Sequence, residues 1–139
     1  MKDPDTLTPE LAQLLEAATQ AAVHSYSPYS GFKVGAALQL AGGEIVTGTN
    51  VENVSFGLTI CAERAALVRA VSKFGPQIRI TAIAVTNSNS AASPPCGACR
   101  QMLAEFAEPD ATVLFPTTDG TQAMPFSAIL PFAFDVKLH

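Results

Sequence analysis

Two short segments hold the residues most able to do chemistry: Cys61-Ala62-Glu63-Arg64 and Pro95-Cys96-Gly97-Ala98-Cys99. Cys96 and Cys99 are three apart, so on one helical turn their sulfurs share a face and can bind one cation. Both segments fall where a loop or strand feeds the first turn of an expected helix. Unsatisfied N–H groups and the positive dipole end favour thiolates there. Sulfur ligands from Cys61, Cys96 and Cys99 would leave one corner of a tetrahedral zinc open to water, the arrangement of a catalytic site. Glu63 is not needed as a ligand. A carboxylate beside such a water can take its proton and pass it on, which is general acid–base work. Three thiolates on Zn²⁺ leave a net charge of −1 and make the water less acidic. A guanidinium within reach of the sulfurs would withdraw some of that charge, the role expected of Arg64.

Blander readings stand beside this one. A Cys-x-x-Cys pair also fits a redox couple or half of a structural metal site. The redox reading expects a thioredoxin-like strand before the motif and has no use for a distant third cysteine. A structural zinc usually takes four Cys or His ligands. The chain has three cysteines, and its histidines, His24 and His139, fall in the first helix and at the last residue. Glu63 also fits an ordinary first-turn dipole partner.

The elements that must position these residues follow from patterning. Thr8 reads as an N-cap, with Pro9 at the first helical position, Glu10 in the first turn, and Leu11, Leu14, Leu15, Ala18 and Ala22 at helical spacing. Alternation through Phe32, Val34, Ala36, Leu38 and Leu40 predicts a strand, Gly42-Gly43 a hairpin, and residues 45–47 its partner. Residues 49–59 read as a polar loop. A second helix follows from Ile60, stopped at Gly75-Pro76. The β-branched run 78–86 suits a central strand buried on both faces. A third helix carries Ala98, Met102, Leu103 and Phe106 and closes before Pro109; strands are expected at 111–115 and 121–125, and a last helical turn at 127–130. Alternating helices and strands predict an α/β chain whose mixed sheet is sandwiched by helices.

Composition bounds the function. One domain, residues 1–139, is expected from the length, and 48% hydrophobic residues exclude intrinsic disorder. Only 14% are charged, against about 25% typically, so part of the surface is expected to lie in an oligomer interface. The apolar segment Phe132-Ala133-Phe134 suits such an interface. No apolar run approaches the ~18 residues of a membrane span, and Met1-Lys2-Asp3-Pro4-Asp5 does not read as a secretory leader. A net charge of −4 without a basic run argues against large nucleic acid as a partner. An odd number of cysteines argues against a disulfide framework and for a reducing cytoplasm.

Together the motifs resemble the small, homotetrameric, zinc-dependent cytidine deaminases, in the variant with cysteine where the zinc deaminases more often place histidine before the glutamate. Tyr26-Ser27-Pro28-Tyr29-Ser30, Phe32-Lys33-Val34-Gly35-Ala36-Ala37-Leu38, Asn50-Val51-Glu52-Asn53 and Ile129-Leu130-Pro131 with Phe134 are similar to the family's other segments, so the likeness spans residues 26–134. The resemblance implies a three-layer α-β-α sandwich with a mixed five-stranded sheet and one zinc per subunit. It implies hydrolytic deamination of cytidine and 2′-deoxycytidine to uridine and 2′-deoxyuridine with release of ammonia, a step of pyrimidine salvage. It also assigns roles. Phe32 would flank the pyrimidine; Asn50 and Glu52 would bond the ribose 3′-hydroxyl; the Ala62 backbone with Glu63 would hold the base's edge. Phe134 would reach into a neighbouring subunit's site, so active sites would be shared across interfaces. The chain departs from the family at Phe56, where a tyrosine is frequent. Other readings are deamination of a different cytosine-bearing small molecule, such as a nucleoside antibiotic, or a non-enzymatic zinc module.

Overall fold

The computed structural model describes residues 7–135; His139 and residues 1–5 lie outside them. Helix α1 (Pro9–Ala22) opens as its sequence predicts, with the Thr8 hydroxyl accepting the Leu11 N–H at 3.3 Å. Strands β1 (Val34–Leu40) and β2 (Ile45–Thr49) form the hairpin, turned at Gly43, whose φ of 97° only glycine adopts freely. The alternating pattern began at Phe32, yet β1 begins at Val34. Phe32 instead bonds to side chains, its N–H to the Ser30 hydroxyl and its carbonyl to Asn50.

Next come α2 (Ala62–Phe74), β3 (Ile80–Asn87), α3 (Gly97–Ala104), β4 (Ala107–Thr117), β5 (Gly120–Pro125) and the short α4 (Phe126–Ile129). The five strands make one mixed sheet in the order β2-β1-β3-β4-β5, with β3 and β4 parallel and the other neighbours antiparallel. Leu14 and Ala18 of α1 pack on one face against Ala37, Ala84 and Leu114. Ala66, Leu67, Leu103, Phe126 and Ile129, from the other three helices, pack on the opposite face against Leu38, Ile83, Val85 and Val113. The result is the expected three layers.

One expectation needs correcting. Pro109 was to end the third helix before a strand at 111; instead β4 starts at Ala107 and runs through the proline. The β3–β4 register jumps from Ile80↔Ala107 to Ala82↔Thr112, so the intervening residues bulge out of the ladder. Pro109 is exposed there and needs no N–H.

Two close approaches fix the helix depths. A Cβ on Gly48 of β2 would stand 2.4 Å from the Ala66 nitrogen and 2.7 Å from the Ala62 oxygen. Only glycine lets the first turn of α2 settle against β2. Gly35 serves α1 in the same way, where a Cβ would meet the Ala18 oxygen at 1.9 Å.

Candidate active site

Cys61 is the N-cap residue of α2 and Cys96 that of α3, and Cys99 lies one turn into α3. The parallel arrangement sends both chain segments to the same end of the sheet, so two helix N-termini converge. The three sulfurs all lie within 4.8 Å of one another, with Cys61–Cys96 at 3.9 Å and Cys96–Cys99 at 3.5 Å. Zn–S bonds of about 2.3 Å in a tetrahedron place sulfurs about 3.8 Å apart, so the set fits zinc with little movement. It also fits zinc by chemistry: thiolates are the soft donors that favour it. Neither His24 nor any acidic group joins the cluster among the described residues.

The electrostatics of the trio are unequal. Cys61 is drawn down to about 5, first by a hydrogen bond from the Cys99 thiol and then by the Arg64 guanidinium, against an opposing desolvation. Cys99 is pushed up, because it donates to the Cys61 sulfur and lies in a buried, negative setting beside Glu63. A divalent cation among the sulfurs would reverse the second effect, since coordinating thiols lose their protons. Arg64 donates from Nη2 to the Cys61 sulfur at 3.4 Å and to the Thr59 carbonyl at 3.3 Å, while its buried Nε has no partner.

Beside the sulfurs opens a cavity of about 230 Å³. Cys61, Ala62, Glu63 and Cys96 form its floor, and Phe32, Val34, Asn50, Thr59, Val85, Ser93 and Pro94 its walls. Glu63 is 5% exposed. Burial is the main cause that holds its carboxyl above the ordinary carboxylate range, with the Cys61 charge adding to it. A carboxyl of raised pKa next to a sulfur trio is equipped for acid–base work.

The structure thus brings Phe32, Asn50, Ala62, Glu63, Cys61 and Cys96 together on the cavity, with Cys99 completing the sulfur trio off the lining and Arg64 bonded to the Cys61 sulfur. Asn50 is knotted into the wall: Oδ1 accepts from the Val34 N–H and the Ser25 hydroxyl, and Nδ2 donates to the Phe32 carbonyl at 2.8 Å. Glu52 does not line the cavity; its carboxylate turns to the Tyr29–Ser30 turn. Phe134 also lies off it, 76% exposed, its carbonyl accepting from Gln101 Nε2. Phe56 stands edge-on to Tyr29 with ring centroids 6.2 Å apart, so the ring has a packing partner that needs no hydroxyl. Sequence reasoning missed Thr59, Ser93 and Pro94. They carry no chemical signature of their own, although each adjoins a segment already singled out.

The family model for the cytidine and deoxycytidylate deaminase zinc-binding region matches residues 9–115. The chain is 44% identical over 125 residues to the cytidine deaminase of Halalkalibacterium halodurans, covering 89% of this chain and 93% of that one. Among solved structures, the cytidine deaminase of Burkholderia pseudomallei superposes with a TM-score of 0.81 at 40% identity, over 92% of this chain and all of the other. That of Mycobacterium tuberculosis superposes with a TM-score of 0.78 at 39% identity, over 93% of this chain and all of the other.

Proposed function

The chain belongs to the zinc-binding cytidine and deoxycytidylate deaminase family, and on that premise we propose that it hydrolyses cytidine and 2′-deoxycytidine to uridine and 2′-deoxyuridine, releasing ammonia. The observation that carries this reading is a three-sulfur cluster at the floor of a cavity that also holds a buried carboxyl of raised pKa. Zinc bound by Cys61, Cys96 and Cys99 supplies a Lewis acid that brings a water's pKa toward neutrality.

Glu63 takes the proton released as water adds at C4 and delivers it to N3 of the ring. It then takes the proton of the hydroxyl added at C4 and passes it to the departing 4-amino group, leaving the C4 carbonyl. Burial raises its pKa above the ordinary carboxylate value, which strengthens it as a proton acceptor. Arg64 withdraws charge from the Cys61 sulfur through the contact at 3.4 Å. The Ala62 backbone and Glu63 hold the edge of the base, and Phe32 flanks its face.

The hydrogen-bond budget of Asn50 defines how it meets the sugar. Both lone pairs of Oδ1 and one Nδ2 hydrogen are already engaged, leaving a single N–H to offer. Asn50 therefore donates to the 3′-oxygen, and Glu52 accepts the 3′-hydroxyl proton.

The active unit is one domain acting as a homotetramer, with Phe134 completing a neighbouring copy's site. Support comes from the apolar side chains that one chain leaves in water: Val54, Phe56, Leu58, Val68, Phe132 and Phe134 are all more than half exposed. Among the described residues no helix is long and apolar enough to cross a membrane. A reducing cytoplasm is the setting that keeps the three cysteines available to zinc. The test is metal content measured alongside loss of cytidine absorbance. One zinc per subunit with turnover lost on chelation is expected, and a metal-free preparation with full activity overturns the proposal.

A further inference from the structure

The turn at Tyr29 and Ser30 grips the Glu52 carboxylate from three directions. The backbone N–H groups of Tyr29 and Ser30 both donate to Oε1, at 3.0 and 3.1 Å, and the Ser30 hydroxyl donates to Oε2. The same hydroxyl oxygen accepts the Phe32 N–H at 2.9 Å. These polarities are forced. A carboxylate only accepts and an amide N–H only donates, so the hydroxyl's single proton goes to Glu52 and a lone pair to Phe32. The backbone of Glu52 is fixed as well, its N–H donating to the Tyr26 carbonyl at 2.9 Å.

An ionised carboxylate offers about four lone-pair sites. Three are filled before any ligand arrives: two on Oε1 and one on Oε2. A sugar hydroxyl can therefore donate only to Oε2, the oxygen that Ser30 orients. Without the serine hydroxyl, Oε1 keeps its two backbone donors, but Oε2 is free to swing and to take water instead. Glu52 is partly exposed, so water is at hand to compete.

We propose that Ser30 is a specificity-determining positioning residue: its hydroxyl aims the free lone pair of Glu52 and ties it to the Phe32 backbone, so that the enzyme selects nucleosides bearing a 3′-hydroxyl. The inference rests on the reading of Glu52 as acceptor of that hydroxyl. Phe32 addresses the base and Glu52 the sugar, and one hydroxyl sets the spacing between them.

The experiment compares zinc-loaded wild-type protein with Ser30→Ala and Ser30→Thr on cytidine and on 3′-deoxycytidine. Ser30→Ala is expected to raise KM for cytidine about tenfold, to leave kcat within about twofold, and to shift KM for 3′-deoxycytidine by less than about threefold. Ser30→Thr, which keeps the hydroxyl, restores the wild-type values. An equal rise in KM for both substrates signals only a loosened pocket and overturns the inference, as does a loss confined to kcat. Wild-type protein that treats the two substrates alike overturns the reading of Glu52 and the inference with it.

Discussion

Glu63→Gln separates chemistry from packing more cleanly than any other change at this site. Apart from the cysteines, Glu63 is the only titratable side chain on the cavity lining among the described residues, so no neighbour there can take over its proton transfers. Glutamine preserves its volume and leaves all three sulfurs in place. Removing a single acid–base step typically costs ~10²–10⁴-fold. Glu63 serves N3 and the leaving amine in turn, so kcat/KM is expected to fall by ~10⁴ or more, a barrier increase of about 5.5 kcal/mol. Zinc stoichiometry stays at one. Stability moves the other way. Because burial raises the carboxyl's pKa above 4.5, the folded state binds its proton more readily than the unfolded chain does. Ionised Glu63 therefore costs stability at neutral pH, and that cost fades as pH falls through the raised pKa. The metal-free Gln variant should accordingly melt at or above the wild-type temperature at neutral pH, with the difference shrinking on acidification. Turnover near wild type in the zinc-loaded variant refutes the role of Glu63. A lower melting temperature refutes the electrostatic account of its burial.

Arg64→Gln removes the guanidinium from the Cys61 sulfur and should weaken zinc binding about 10–100-fold in competition with a chromogenic chelator; unchanged affinity sinks its charge-withdrawing role. Gly48→Ala forces the first turn of α2 away from β2 and should lower kcat about 10²-fold in the folded fraction, the cost of a misplacement near 1 Å. Gly35→Ala presses on α1, which carries no site residue, and should lower the melting temperature while sparing kcat; equal kcat losses in both variants contradict the positioning role of Gly48. If the proposed tetramer shares its sites, Phe134→Ala should raise KM and weaken the assembly in sedimentation; a fully active monomer overturns that proposal.

The parts of the fold legible in the sequence are those governed by local chemistry. Thr8 and Pro9 mark the start of α1 because capping and a fixed φ act within one turn. Gly75, at φ 91°, marks the end of α2 for the same reason. The convergence of the three cysteines was equally legible, because sulfur is scarce in this chain and its spacing carries meaning. What escaped depends on pairing across the sheet. Pro109 looks like a terminator until the β3–β4 register leaves its nitrogen without a partner to find. Glu52 lies in the segment that resembles a nucleoside-binding stretch, yet nothing local says that the turn 22 and 23 residues earlier holds its carboxylate. Thr59 and Ser93 both reach the cavity only because the loop before α2 and the loop after β3 meet there.

The two helix starts that carry the cysteines show what the site costs the fold. Serine, threonine, aspartate or asparagine at an N-cap accepts a backbone N–H and typically stabilises a helix by about 0.5–2 kcal/mol. Thr8 does so for α1, at 3.3 Å. Cys61 and Cys96 hold the same position on α2 and α3, and neither side chain makes a capping hydrogen bond. Both helices thus begin without a side-chain cap, at the residues that carry the sulfurs. That arrangement is poor capping, but it is a favourable field for thiolates. A cation drawn to those thiolates recovers the lost stability, because it binds the folded arrangement and not the open chain. The first turns of α2 and α3 are therefore expected to be the part of the core whose amide exchange slows most when zinc is added. Protection of α1, capped by its own threonine, should scarcely change.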